Sequence, residues 1–284
     1  VSAVAIVAHH ERHEAVDLIH LAMKWLHEHG HEAWVHAEDA AALGVADVGA
    51  ERGLAGADLV LSLGGDGTML RTVRLLDGEP VPMLGVKLGW LGYLTELEPP
   101  ELTSGLERFF DGPAAGRWEV DDRLMLDVML NGGRDGTWRA LNEAVVEKQE
   151  PGHTVRLLAI IDGEPFTTYA ADGLIVATPT GSTAYSLSAR GPIVSPRHRA
   201  VLLTPVSPHM LFDRSLVLDP SETVDIEVLG HRQAELAVDG VHAATLSGGD
   251  TVRCEPSSAT ARFVRMTERH YHQILKAKFG LADR

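Results

Sequence analysis

Gly64-Gly65-Asp66-Gly67-Thr68 is the stretch whose residue types and spacing are best suited to chemistry. The apolar run Leu59-Val60-Leu61-Ser62-Leu63 leads into it, and a helical pattern with Met69, Leu70, Val73 and Leu76 on one side leads out. This order predicts a strand, a tight turn and a helix. Glycines permit positive φ and leave no side chain where a ligand meets the backbone. Thr68 is suited to cap the helix, and the free N–H groups at a helix start attract phosphate. A carboxylate beside phosphates is repelled, so the presence of Asp66 needs a reason. It could hold a divalent cation, or accept a proton from an attacking hydroxyl. The bland alternative is an Asp-Gly turn closing a strand. The spacing matches neither Gly-x-x-x-x-Gly-Lys-Ser/Thr nor Gly-x-Gly-x-x-Gly.

A second stretch runs from Ala170 to Ser188. A buried strand, Leu174 to Ala177, enters a small-residue turn and a short helix, and hydroxyls crowd it at Thr178, Thr180, Ser182, Thr183 and Ser186. Hydroxyls and free helix N–H groups make a polar cradle without charge, fit for a base, ribose or phosphate. One hydroxyl would suffice for a capped helix. A third piece is Asn142-Glu143. An Asn can pair with a base edge and a Glu can accept from a ribose hydroxyl, although such pairs also occur as solvated turns.

The elements that must position these residues fall into two styles. Ala3 to Val7 is a strand, His13 to His29 a helix with Ala15, Leu18, Ile19, Ala22, Met23 and Leu26 recurring at helical spacing, and Glu32 to His36 a strand. Ala40 to Gly56 reads as a loop with a short helix. Pro82 to Val86 is a strand, Lys87 to Thr95 a Gly-punctuated loop, and Glu101 to Phe110 a helix. This is an α/β N-terminal domain with an open, mostly parallel sheet. Beyond the linker candidate Gly112–Gly116 come alternating runs at Leu124–Leu130, Val155–Ile161, Phe166–Tyr169, Val224–Val228, Glu235–Val238 and Thr251–Cys254, separated by turn signals such as Asp162-Gly163 and Asp239-Gly240. This is a β-rich C-terminal domain. The expected division is 1–112 and 113–266, with a last helical stretch, 267–284, rejoining the first domain. Ser247-Gly248-Gly249-Asp250-Thr251 nearly repeats the Asp66 turn, but a period-two strand follows it, so a hairpin turn is expected.

Composition narrows the class. The 284 residues carry a net charge of −15, which argues against a nucleic-acid footprint. No apolar run is long enough for a transmembrane helix and no basic-then-apolar segment opens the sequence. With a single cysteine, Cys254, expected to be an inert strand residue, the expectation is a cytoplasmic protein. Eight of the fifteen histidines lie in the first 36 residues, and His27-Glu28-His29-Gly30-His31 has the letters of a zinc-protease motif. Gly30 stops the helix between the two outer histidines, so no metal site is expected there. His9 and His10 follow the first strand and are expected in a solvated loop, with a crevice at the strand ends as the alternative.

Taken in order from Ala57 onward, the chain resembles the NAD kinase family. The resemblance covers Gly64-Gly65-Asp66-Gly67-Thr68, Gly89-Trp90-Leu91-Gly92-Tyr93-Leu94, Leu141-Asn142-Glu143, Asp172-Gly173 and Thr178-Pro179-Thr180-Gly181-Ser182-Thr183-Ala184-Tyr185-Ser186-Leu187-Ser188. It continues through Leu203-Thr204-Pro205 with His209 and through Val238-Asp239-Gly240. Lipid kinases and phosphofructokinases share the first turn, but the Thr178–Ser188 segment sets this family apart from the lipid kinases.

The resemblance implies phosphoryl transfer to the adenosine 2′-hydroxyl of NAD. ATP or polyphosphate would be the donor, aided by Mg²⁺ or another divalent metal for which no protein ligand is assigned. It implies Asp66 as proton acceptor, Gly64, Gly65, Gly67 and Thr68 as the phosphate turn, and Arg71 as a further phosphate donor group. Asn142 and Glu143 would bind the adenosine part, and Asp172 with Thr183, Ala184, Tyr185, Ser186, Leu187 and Ser188 would line the dinucleotide site. It also implies a homo-oligomer, dimer or tetramer, acting on small-molecule nucleotides without nucleic acid or membrane. Three positions depart from the family. Arg190 stands where a Gly is usual, Val241 where a polar residue is frequent, and His153 where a basic residue is frequent. Two other readings are a lipid or sugar kinase with the same turn and a non-catalytic NAD or NADP sensor.

Overall fold

The computed structural model describes residues 1–90, 92–112, 117–266 and 271–281. Leu91, the linker residues 113–116 and the expected helix start 267–270 lie outside the described residues. The chain divides into two units, Val1–Asp122 with Ala261–Arg284, and Arg123–Thr260.

The first unit opens with β1 (Ala3–Ala8), α1 (Glu14–Glu28), β2 (Glu32–His36), α2 (Ala37–Leu43) and β3 (Gly49–Ala50). It continues with β4 (Leu59–Gly64), α3 (Asp66–Leu76), β5 (Met83–Lys87) and α4 (Leu102–Phe110). The strands run β5-β4-β1-β2-β3, all parallel. β4 is buried along its whole length, which is why its sequence is a nearly unbroken apolar run rather than an alternating one. All six periodic positions of α1 are buried, and Gly30 follows it with φ 75°, so the zinc-protease letters do not share a helix. α2 covers 37–43 rather than lying within 40–56, and brings Asp39 into its buried face.

The second unit takes up the chain within β6 (Glu119–Leu130). It holds β7 (Thr137–Ala140), β8 (Glu143–Lys148), β9 (Val155–Ile161), β10 (Glu164–Ala171), β11 (Gly173–Ala177), α5 (Tyr185–Ser188), β12 (Val201–Val206) and β13 (Leu216–Leu218). Then come β14 (Val224–Leu229), β15 (Ala234–Val238), β16 (Val241–Leu246) and the first part of β17 (Thr251–Arg265). One antiparallel sheet has the order β13-β12-β11-β8-β15-β16. A second antiparallel layer joins β10, β9, β14 and β17. Alternate residues of both layers fill one core, with Leu157, Tyr169, Leu174, Ile226, Leu236 and Val252 among its members.

The Ser247–Asp250 turn corrects an expectation. It is no hairpin, because β16 pairs with β15 while β17 pairs with β14. Gly248 passes so close to the Gly230 carbonyl that a Cβ there would fall on it, so the glycine serves a chain crossing between layers. β17 is also far longer than the four residues expected. Its last residues return to the first unit, where Phe263 pairs with Met83 of β5, and α6 (Tyr271–Phe279) follows. Cys254 is fully buried, and burial pushes its thiol up to about 12, with the Asp225 charge adding to this. Such burial in β17 keeps the thiol protonated and away from solvent.

Candidate active site

In an open parallel sheet, ligands bind beyond the carboxyl ends of the strands, where the strand order reverses. In the first unit that point lies between β1 and β4, since the chain moves from β1 outward to β2 and β3 and then returns to the other side of β1. A cavity of about 460 Å³ sits there, lined by Ala8–Arg12 after β1, by Gly65, Gly67, Thr68 and Arg71, and by Leu88. His9 and His10 therefore face the crevice rather than a wholly solvated loop.

The helix start differs from the expected one in a detail that matters. α3 begins at Asp66 with Gly65 as its N-cap, in extended backbone, and no side chain caps it. Thr68 is buried one turn in, packed so tightly against Gly64 that a Cβ there would strike its side chain. The helix start is thus capped by backbone alone: Gly65 O accepts from Thr68 and Met69 N–H, both at 3.1 Å, and Gly65, Gly67 and Thr68 line the cavity. Asp66 is half-buried, and its oxygens accept backbone N–H groups from the following loop: Tyr93 to Oδ2 at 2.8 Å and Leu94 to Oδ1 at 2.9 Å. Gly92 is the residue that allows this approach, because a Cβ at that position would fall on Asp66 Oδ1. Each oxygen keeps a lone pair for another partner.

Arg71, one turn further along α3, donates to Asp39 Oδ1 at 2.6 Å and to Glu38 at 3.3 Å. Burial works against its charge, but the hydrogen bonds and charges of Asp39 and Glu38 outweigh it and raise its pKa. Its Nη1 is buried and has no hydrogen-bond partner among the described residues. Asp39 was invisible in the sequence: it lies in an Ala-rich stretch with no motif and meets its partners through the fold.

In the second unit, Asn142 and Glu143 enter β8 on backbone held by Asp239. Its Oδ2 accepts from Leu141 N–H at 2.8 Å, and its Oδ1 from Asn142 at 2.8 Å and Glu143 at 3.0 Å. Asp239 and Gly240 both have positive φ, 46° and 75°, as a two-residue hairpin turn requires. The Thr178–Gly181 turn is stitched to the same strip. Thr178 Oγ1 donates to Leu141 O at 2.5 Å, Thr178 N–H to Asn142 O at 2.9 Å, and a Cβ on Gly181 would fall on Asn142 O. Glu143 is buried, with Oε2 unpartnered. Burial first, and then the Asp239 charge, push its carboxyl up to about 8 against a backbone hydrogen bond from Tyr185.

The crowded hydroxyls are mostly spent inside the protein. Thr178, Ser182 and Ser186 are fully buried. Ser182 Oγ donates to Pro179 O and accepts from Val194 N–H, and Ser186 Oγ lies 3.2 Å from Thr204 Oγ1. Thr183 Oγ1 donates to Thr180 O at 3.3 Å. Ala184 and Leu187 are half-buried, and Tyr185 and Ser188 are exposed. Asp172 is held by Lys148 Nζ at 2.6 Å. Burial first, and then the charges of Glu147 and Asp172, raise the Tyr185 phenol. Exposed His153 lies in the turn between β8 and β9.

Among the described residues no group of three or more His, Cys, Asp or Glu side chains forms a metal cage. The Asp66 carboxylate would suit a cation such as Mg²⁺ that keeps most of its waters and is carried in by phosphates, while the amides of the helix start would suit the phosphates themselves.

Known proteins resemble this chain over most of its length. The ATP-NAD kinase N-terminal domain matches residues 48–114 and the ATP-NAD kinase C-terminal domain residues 141–266. The NAD kinase of Heliobacterium modesticaldum is 44% identical over 224 residues, 78% of each chain. That of Syntrophotalea carbinolica is 35% identical over 276 residues, 95% of each chain. The structure of yeast NADH kinase complexed with NADH aligns at a TM-score of 0.86 and 26% identity, covering 100% of this chain and 89% of that one. An NAD kinase from Archaeoglobus fulgidus in complex with ATP shares the fold at a TM-score of 0.74 and 24% identity, covering 99% of this chain and 100% of that one. The Asp66 turn lies within the first matched region, and the Asn142–Glu143 strip and the Thr178–Ser188 segment lie within the second. The chain belongs to the NAD kinase family.

Proposed function

We propose that this enzyme phosphorylates the adenosine 2′-hydroxyl of NAD to give NADP, with ATP as donor and Asp66 as proton acceptor. A bond forms between the 2′-oxygen and the γ-phosphorus, the bond to the β-phosphate oxygen breaks, ADP leaves, and the hydroxyl proton passes to Asp66. The observation that carries the reading is the clamp on Asp66. Two backbone N–H groups fix both oxygens, beside a helix start whose amides and cavity suit a phosphoryl chain. Positioning and charge stabilisation supply most of the acceleration in such transfers.

Gly64, Gly65, Gly67, Thr68 and Arg71 are the groups we assign to the phosphates, and Asn142 and Glu143 those we assign to the adenosine part. Asp172, His153 and the Thr183–Ser188 segment are assigned to the rest of the dinucleotide, the segment through its exposed Tyr185 and Ser188, while the buried Ser186 holds the turn in place. A divalent cation such as Mg²⁺ would be held by Asp66 and the phosphates and would neutralise charge on them. We also propose a homo-oligomer acting in the cytoplasm; no helix among the described residues is long and apolar enough to cross a membrane.

The test is NADP formation by purified protein given NAD and Mg²⁺, with ATP and inorganic polyphosphate in parallel. NADP in the ATP tube is the expected outcome, and NADP with polyphosphate alone would replace the donor. No NADP in either tube, with NAD binding intact, would overturn the reading.

A further inference from the structure

The carboxylate of Asp39 is fully buried, yet it is not a structural ion pair of the ordinary kind. Its Oδ2 accepts Ala8 N–H at 2.8 Å, at the end of β1. Its Oδ1 takes His10 Nε2 at 2.6 Å and Arg71 Nη2 at 2.6 Å, and His36 Nδ1 lies 3.8 Å away. One buried side chain on α2 therefore fixes the strand end, the loop after it and the first turns of α3. Both His10 and Arg71 line the cavity at the mouth of α3. The other amino group of Arg71, Nη1, is buried with no partner among the described residues. A buried guanidinium nitrogen left unpaired is costly, and the group that would satisfy it best is an anionic oxygen.

We propose that Asp39 is a positioning residue. It holds His10 and Arg71 in the wall of the cavity, where they take the phosphoryl chain of the donor. The inference rests on the reading above that this cavity takes the donor's phosphates. Asp39 touches no phosphate itself. It spends one amino group of Arg71 so that the other has a fixed direction, and it holds the imidazole of His10, whose side chain is 41% exposed, on the cavity wall. The shared chemistry is a polyphosphate chain, whether from a nucleoside triphosphate or from inorganic polyphosphate.

The experiment compares Asp39→Asn, His10→Asn and Arg71→Gln with the wild type, measuring kcat and separate KM values for ATP, polyphosphate and NAD. Asn keeps the size and the bond from Ala8 but loses the charge that directs Arg71. Asp39→Asn should raise the KM of the working donor by about tenfold, as expected for losing one charge-assisted contact, with the KM for NAD unchanged. The double variant with Arg71→Gln should be little worse than either single one, because the two residues act as a unit. His10→Asn should raise the same KM by a smaller factor, and its exposed side chain keeps the test open if Asp39→Asn does not fold. Which donor shows the effect identifies the source of the chain. If Arg71→Gln raises the donor KM while Asp39→Asn and His10→Asn leave it alone, the positioning role is wrong and the cavity reading survives. If Arg71→Gln itself leaves the donor KM unchanged, the cavity reading fails and takes the inference with it.

Discussion

Asp66 and Glu143 are two carboxyls that the protein treats in opposite ways, and each treatment can be tested. Asp66 is half-buried and receives two backbone N–H groups while keeping a lone pair on each oxygen. If it is the proton acceptor, Asp66→Asn should lower kcat by roughly 10²–10⁴-fold and leave the Kd for NAD within a few-fold. A steady-state assay with a separate binding titration checks both, and an unchanged kcat removes it from that role. Glu143 is buried with an unpartnered oxygen, and its carboxyl is pushed up to about 8 from 4.5. The unfolded chain gives up that proton at lower pH than the folded one. Stability from this group is therefore complete below pH 4.5 and declines as pH rises toward 8. Glu143→Gln removes the loss, so between about pH 5 and about pH 8 the wild type should lose about 3–4 kcal/mol relative to the variant. Urea midpoints at the two pH values measure it; parallel curves would refute the raised carboxyl. The same substitution should weaken NAD binding. Asp66 was legible in the sequence because its glycines are adjacent to it. Asp39 was not, because Ala8, His10, His36 and Arg71 become its neighbours only through the fold.

The elements explain why some departures from the family pattern are tolerated. α5 ends in a turn in which Gly191 N–H donates to Ser186 O at 2.8 Å and Arg190 N–H to Leu187 O at 3.0 Å. That closure needs left-handed backbone at Arg190, and its φ is 65°. Glycine is the residue such a helix stop prefers. An L side chain there costs roughly 1–2 kcal/mol, while glycine's added freedom in the unfolded chain costs roughly 0.5–1 kcal/mol. Arg190→Gly should therefore stabilise the protein by about 0.5–1 kcal/mol, read as a higher denaturant midpoint with an unchanged slope. A lower midpoint would show that the exposed Arg190 side chain makes a contact worth more than its backbone strain. Elements with clean periodicity were legible: all six apolar positions of α1 are buried and β9 matches its expected bounds. The misses follow physical causes. Glu255-Pro256-Ser257-Ser258 hides the continuation of β17 because its residues do not alternate. The helix cap at Asp66 is backbone alone, so the polar Thr68 pointed to the wrong residue. The hydroxyls of Thr178, Ser182 and Ser186 looked like ligand contacts because composition cannot show that they bond to the protein's own carbonyls, amides and hydroxyls.

At the scale of the whole chain, the first unit is discontinuous and the second is not. The N-terminal sheet is finished by residues from far along the chain: Phe263 pairs with Met83, Val264 and Met266 are buried in the core beside β1 and β4, and Met266 N–H donates to Glu96 Oε1 at 2.9 Å. Arg265 adds bonds to the Leu94 carbonyl and to Glu96. Leu94 also supplies an amide to Asp66, so this returning segment supports the loop that fixes the carboxylate. Burying three such side chains is worth roughly 1.5–3 kcal/mol each, a sum comparable to the roughly 5–15 kcal/mol that holds a domain together. The chain ending at Thr260 should therefore lose the first unit while the second, Arg123–Thr260, keeps its own core. The chain ending at Met266 lacks α6, whose Lys278 sits 4.1 Å over the Tyr93 ring, but retains every buried contact of β17. It should fold with both units intact. Calorimetry and circular dichroism on the two truncations decide the matter. Helical signal lost at Thr260 and retained at Met266 is the expected pair. A chain ending at Thr260 that keeps full helical signal and two-unit unfolding would mean that β1, β4 and β5 close their core without the returning strand.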